Sequence, residues 1–224
     1  MPLARNSSAL KKPAWKKGVI NSVSFTMNRF ARRAVLIRAE KRYPSSSSSN
    51  GNGCIPLRDI ATFDGVQWNI NGNTTINEGE CLIIPEATIL KLGNFPNGSL
   101  TNNGIITVNG SINSPSIINN NSIINISTSG DITLNGDAGA SIFNNNAAGI
   151  INNEGTLSML GSIIGEFTNN GTINNSGGTL IVDGVHFTNN NTIYNPDNTK
   201  PCPSGTITEI IPITGNAPLN QCPP

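Results

Sequence analysis

The stretch "FTNNGTINNSGGTLIVDGVHFTNNNTIYN", residues 167–195, says F-T-N-N twice, twenty residues apart, with Asp183, His186 and Tyr194 as its only ionisable groups. Working outward, the same phrase recurs: an apolar residue, one spacer and two Asn. It reads "LTNN" at 100, "INNN" at 118, "FNNN" at 143 and "FTNN" at 167 and 187, with separations of 18, 25, 24 and 20 residues. A half-phrase repeats between them, as "INNEGTL" (151–157) and "INNSGGTL" (173–180). Short alternating runs closed by Gly, Asn or Pro read as strands joined by tight turns. Strand-and-turn units recurring every 20–25 residues are the mark of a solenoid.

The expected fold is therefore all-β, a single-stranded β-solenoid with coils of about 20–25 residues. Segments such as "GTIN", "TLIVDG" and "VHFTN" would lie on successive faces, with Ile, Leu, Val and Phe stacked inward. Asn is expected at the corners, where it tolerates left-handed backbone and where stacked amides can bond between coils. A β-sandwich, whose strands recur every 8–12 residues, is the competing architecture.

Composition agrees with turns and thin apolar slices. The 224 residues include 36 Asn and 23 Gly, both poor helix formers. Charged residues are 12% of the chain, about half the share usual in globular domains, which argues against a charge-rich enzyme surface. The net charge of +1 hides a division. Residues 1–43 hold eleven Lys and Arg against Glu40, or +10; residues 54–224 hold Arg58, Lys91 and Lys200 against twelve acids, or −9.

Three parts follow. Residues 1–43 form a basic arm, partly helical or disordered, suited to an anionic surface; an organelle transit peptide is the alternative. Trp15, Phe25, Phe30 and Tyr43 interleave with its charges, but no nucleic-acid fold follows, so specific nucleic-acid recognition is not expected. Residues 44–53, "PSSSSSNGNG", read as a linker. Residues 54–224 form the solenoid, with an N-terminal cap at 54–90 that includes Trp68 and a C-terminal cap at 200–224. Its prolines are expected to resist further strand addition. About five coils would lie between. No run of eighteen apolar residues offers a transmembrane helix, and no secretory signal pattern is apparent.

Cys54, Cys81, Cys202 and Cys222 flank the Asn-rich body. Four cysteines allow three pairings. The local one, 54 with 81 and 202 with 222, would staple each end; reduced, buried thiols are the alternative. No C-x-x-C spacing occurs and His186 is the sole histidine, so neither metal nor cofactor is expected.

Catalysis is not expected either. Carboxylate pairs for glycoside hydrolysis would have to come from Asp131 and Asp137, Glu154 and Glu166, or Asp183. No Lys or Arg lies between Leu92 and Thr199 to serve a lyase, and His186 has no triad motif around it. Sequons place glycosylation candidates at Asn73, Asn97, Asn109, Asn120, Asn125, Asn170, Asn174 and Asn190, with a further one at Asn6 in the arm.

The phrases "TTINEGECLIIPEATILKL", "LTNNGIITVNG" and "FTNNGTINNSGGTLIV" resemble Asn- and Gly-rich repeats of large surface proteins. Such repeats occur in bacterial adhesin-like proteins and in surface or fibre-associated proteins of amoeba-infecting giant viruses. The resemblance spans about residues 66–195 and lies in texture; the basic arm belongs to neither pattern. It implies a non-enzymatic structural protein of a virion surface, a fibre or outer-layer component for display or attachment. Its partners would be other surface or particle proteins, with glycans as a further candidate. The alternatives are an extracellular or cell-surface adhesin-like protein and a carbohydrate-binding or carbohydrate-active β-helix.

Overall fold

The computed structural model describes residues 54–94, 97–135, 140–160, 165–183, 185–209 and 213–224. The expected arm and linker, residues 1–53, lie outside the described residues. The body is the β-solenoid that the recurrence implies, made of three parallel sheets that the chain visits in rotation.

It begins with β1 (Cys54–Ile55), a one-turn helix α1 (Leu57–Ile60) and β2 (Thr62–Phe63). The first coil is β3 (Trp68–Ile70), β4 (Asn73–Ile76) and β5 (Cys81–Ile84). The second is β6 (Ile89–Leu92), β7 (Ser99–Asn102) and β8 (Ile105–Val108). The third is β9 (Ser111–Ser114), β10 (Ile117–Asn120) and β11 (Ile123–Ile126). The fourth is β12 (Asp131–Asn135), β13 (Ile142–Asn145) and β14 (Ile150–Asn153). The fifth is β15 (Thr156–Leu160), β16 (Glu166–Asn169) and β17 (Thr172–Asn174). The sixth is β18 (Thr179–Asp183), β19 (His186–Asn189) and β20 (Thr192–Tyr194). A thin seventh is started by β21 (Thr206–Glu209) and β22 (Thr214–Gly215) and closed by a bridge from Leu219 to Tyr194.

We call the sheet through β3 face 1, the sheet through β4 face 2 and the sheet through β5 face 3. The recurring phrase is face 2. Leu100, Ile118, Phe143, Phe167 and Phe187 are register partners in turn, so its spacing equals the coil length. The half-phrase is face 3, where Ile151 pairs with Ile173.

Alternation along each strand sends one side chain in two to the core. On face 2 the inward column ends in Phe143, Phe167 and Phe187, all buried, with ring centroids 5.0 and 4.2 Å apart. On face 3 the column is Leu82, Ile106, Ile124, Ile151, Ile173 and Ile193, and on face 1 Leu90, Ile112, Ile132, Leu157 and Leu180, all buried. Each such side chain contributes about 1.5–3 kcal/mol of burial. Coils hold together because every inward residue meets its equivalent above and below.

Asn serves in part as expected: the second Asn of the phrase stacks at the corner and bonds between coils, Asn121 to Asn103, Asn146 to Asn121 and Asn190 to Asn170, but not through left-handed backbone. Among the described residues the one non-glycine with positive φ is Ala87, at 57°, so no corner Asn is left-handed. The first Asn of each phrase instead ends the face 2 strand pointing inward. Asn102, Asn120, Asn145, Asn169 and Asn189 are fully buried, and each of the first four donates its Nδ2 to the next one's Oδ1 at 2.7–2.8 Å. The same nitrogens also reach the carbonyls of Ile123, Ile150, Thr172 and Thr192 at 2.9–3.3 Å, fastening face 2 to the start of face 3. Asn189 ends the series on the carbonyl of Asn216. The advantage of Asn here is its side-chain amide, which copies a peptide group and satisfies buried polar atoms. Corner glycines answer to crowding: a Cβ on Gly171 would stand 2.1 Å from the Gly149 carbonyl oxygen, and one on Gly155 2.2 Å from that of Gly130.

The caps are tighter than expected at one end and thinner at the other. Coiling is already under way at Trp68, so the expected cap at 54–90 shrinks to residues 54–67. It closes with β2 antiparallel to β3, the one antiparallel pair among the described residues, and Phe63 packs on Trp68 at 5.3 Å. A reversed strand leaves the first coil no template for a like strand. At the other end the prolines do not stop strand addition: β21 joins face 1 on β18 and β22 joins face 2 on β19. There are six full coils: the expected five between residues 89 and 194, and one more, β3 to β5, inside the stretch expected as cap.

Candidate functional site

Both ends are stapled. Cys54 is disulfide-bonded to Cys81 and Cys202 to Cys222, with no free cysteine among the described residues. The first bridge ties β1 to β5, which are already register neighbours. Closing loops of 27 and 20 residues stabilises each end by about 3 kcal/mol through the unfolded chain.

A carboxylate secures each cap as well. Asp64 Oδ1 accepts from the backbone N–H of Val66 and of Gln67, both at 2.9 Å, and its Oδ2 accepts from Asn69. The Gln67 and Val66 amides, then Asn69, hold its pKa down to about 2. Asp197, near the C-terminal staple, accepts from the Thr199 hydroxyl, Asn220 and the Thr199 amide, which lower its pKa to about 2.

The charged side chains weighed for catalysis are dispersed. Asp131 and Asp183 start and end strands of face 1, Glu154 follows face 3, and Glu166 opens a face 2 strand. Asp137 lies outside the described residues. One juxtaposition was not read from the sequence: Glu166 and His186 are register partners on the outside of face 2, and both are exposed. Their twenty-residue separation equals the coil length, which was the available signal. Among the described residues no three His, Cys, Asp or Glu gather as metal ligands, and no helix is long and apolar enough to cross a membrane.

The sequon asparagines divide by burial. Asn73, Asn97 and Asn190 are exposed; Asn109, Asn125 and Asn170 are half-buried. Asn120 must be removed from the glycosylation candidates: it is fully buried, and its nitrogen is bonded to Asn145 and Ile150. The nitrogen of Asn174 is likewise engaged, on Asn152 Oδ1 at 2.7 Å.

A groove of about 620 Å³ lies where face 3 turns toward face 1, beneath the C-terminal cap. Asn153, Glu154, Asn174 and Ser176 line it from the coils, and Pro203 and Pro223 form its far wall. Those prolines directly follow Cys202 and Cys222, so the second disulfide braces that wall, and Ser176 Oγ donates to the Pro203 carbonyl at 3.0 Å. A smaller hollow of about 310 Å³ lies by Lys91, Asn69 and Asn97.

The fold thus defines a three-faced β-solenoid with internal amide ladders and stapled ends. In comparisons with protein families, characterised proteins and solved structures, the chain matches none.

Proposed function

We propose that this is a non-enzymatic structural protein displayed on a surface, a fibre or outer-layer component of a virion, serving display or attachment. The observation that carries the reading is construction: an aliphatic column runs through all six coils, an amide ladder through five and an aromatic stack through three, and the body ends in caps held by disulfides and carboxylates. Such a body resists fraying and proteolysis, because openings at solenoid ends are what the caps suppress. Disulfides suit a protein that works outside a reducing compartment. The surface-repeat texture of residues 66–195 supports the same reading.

In this account the basic residues 1–43 dock the protein to an anionic particle or partner, and the solenoid is presented outward. Exposed Asn73 and Asn97 are the sites best suited to carry glycans; the nitrogen of exposed Asn190 is engaged on Asn170 Oδ1. Mass spectrometry of purified particles, set against surface and soluble fractions of producing cells, tests the proposal. Enrichment in washed particles is expected; recovery only from the soluble interior would overturn it. An extracellular adhesin-like role would instead enrich it on the cell surface.

A further inference from the structure

The outside of face 3 differs from that of the other two faces. None of the outward side chains of β5, β8, β11, β14, β17 and β20 is charged, whereas face 1 presents Lys91, Asp131 and Asp183 and face 2 presents Glu166 and His186. Among the described residues six large apolar side chains are exposed, and three of them lie on this face: Ile83 at 39%, Ile105 at 42% and Ile150 at 36%. They are not scattered. The first outward column opens on the Cys54–Cys81 disulfide, continues in register through Ile105, Ile123 and Ile150, and passes to Thr172 and Thr192. Ile123 stands at the middle of that ridge. Beside it runs the outer amide series, in which Asn152 donates to Asn125 and Asn174 to Asn152.

Contiguous exposed apolar surface marks an interaction site, unlike apolar residues scattered singly. What this ridge fits is set by its own symmetry. A two-fold axis lying along β11 turns the column end for end about Ile123. Ile105 of one copy then faces Ile150 of the other, and the disulfide faces Thr192. Amides fall opposite amides, which carry both donors and acceptors. No charge is buried by the meeting, and the full chain has a net charge of only +1, so two copies repel little. A self-complementary patch is what an isologous dimer requires. We infer that face 3 is the contact between two copies of this chain, packed sheet on sheet with their coils running in opposite directions. The outer surface of six short strands amounts to roughly 400 Å² at ordinary strand spacing and rise. That is half of the about 800 Å² per partner in a standard interface. The dimer is therefore weak and forms where copies are crowded. The inference does not rest on the surface assignment, because pairing is read on the purified protein.

The experiment is sedimentation velocity of the oxidised full chain from about 10 μM to about 1 mM, the range that a small interface calls for. A concentration-dependent equilibrium between monomer and dimer is expected. Ile123→Lys sets two like charges together on the axis and should weaken pairing about tenfold or more. Ile142→Lys makes the same change at an outward position of face 2 and should leave pairing as in the wild type. Ile105→Lys should weaken pairing as well. The double variant Ile105→Lys/Ile150→Glu should recover it, since the two-fold brings each new base opposite a new acid. Far-ultraviolet circular dichroism matching the wild type establishes that each variant is folded. Three results would overturn the inference: a chain that stays monomeric throughout, which leaves the ridge to a different partner; equal losses from Ile123→Lys and Ile142→Lys; or no recovery in the double variant.

Discussion

Asn145 and Asn146 are consecutive, chemically identical and both in amide ladders, yet their surroundings differ. Asn145 is fully buried; it accepts from Asn120 in the coil before and donates to Asn169 in the coil after. Asn146 is half-buried at the corner and donates backward, to Asn121 Oδ1 at 2.5 Å. Asn144, on its other side, also points outward and donates backward, to Asn119 Oδ1 at 2.9 Å. The inner series runs toward the C-terminal cap and the outer ones run against it, so their amide dipoles oppose. What separates them energetically is water. An outer amide that loses its neighbour exchanges it for solvent, whereas an inner one has nothing to exchange it for.

The steepest losses should come from the inner side. Phe167→Ala removes the middle ring of the face 2 stack and leaves a cavity between Phe143 and Phe187; it should cost about 4 kcal/mol in chemical denaturation. Asn145→Ala removes one of the two acceptors of Asn120 Nδ2 and the amide that donates to Asn169 Oδ1 and the Thr172 carbonyl, and should cost about 3 kcal/mol in the same assay. A loss below about 1 kcal/mol for Asn145→Ala would break the distinction between the ladders.

Acid sharpens the comparison from another direction, because the inner ladder has no titrating group while each cap has one. Asp64 and Asp197 have folded pKa values of about 2, below the usual 3.8. A depressed carboxylate contributes stability above its unfolded pKa and loses it as pH falls through the folded value. The caps should therefore loosen between about pH 4 and pH 2, while the inner amides stay unchanged. Carboxyl titration by NMR should place both groups near 2, with the Val66 and Gln67 amides moving in the same step. Smallest of all, Asn144→Ala and Asn146→Ala should each change stability by less than about 0.5 kcal/mol, as surface substitutions generally do.

Much of this was legible because coil register and sequence recurrence are one quantity. Phe167 and Phe187 are twenty residues apart because the fifth and sixth coils pair at that spacing. The fate of the Asn residues was not legible. Alternation from Ile118 and Phe167 points Asn120 and Asn169 inward, but polarity argues for a corner, and only the neighbouring coils, which supply amide partners, reveal that they occupy core positions. On face 3 the same inward position holds Ile84, Val108 and Ile126 before it switches to Asn153 and Asn175, so aliphatic stack and amide ladder are interchangeable solutions. The groove was hidden for a different reason. Its lining runs from Thr128 to Pro223, residues far apart in sequence that the coils stack along one corner.

Side-chain amide hydrogen exchange, followed by NMR on the folded protein, tests the central claim most directly. The Nδ2 protons of Asn102, Asn120, Asn145, Asn169 and Asn189 should exchange as slowly as the strand backbone amides around them. Those of Asn121, Asn144 and Asn146 should exchange orders of magnitude faster. Uniform rates across both sets would contradict an amide ladder built into the core.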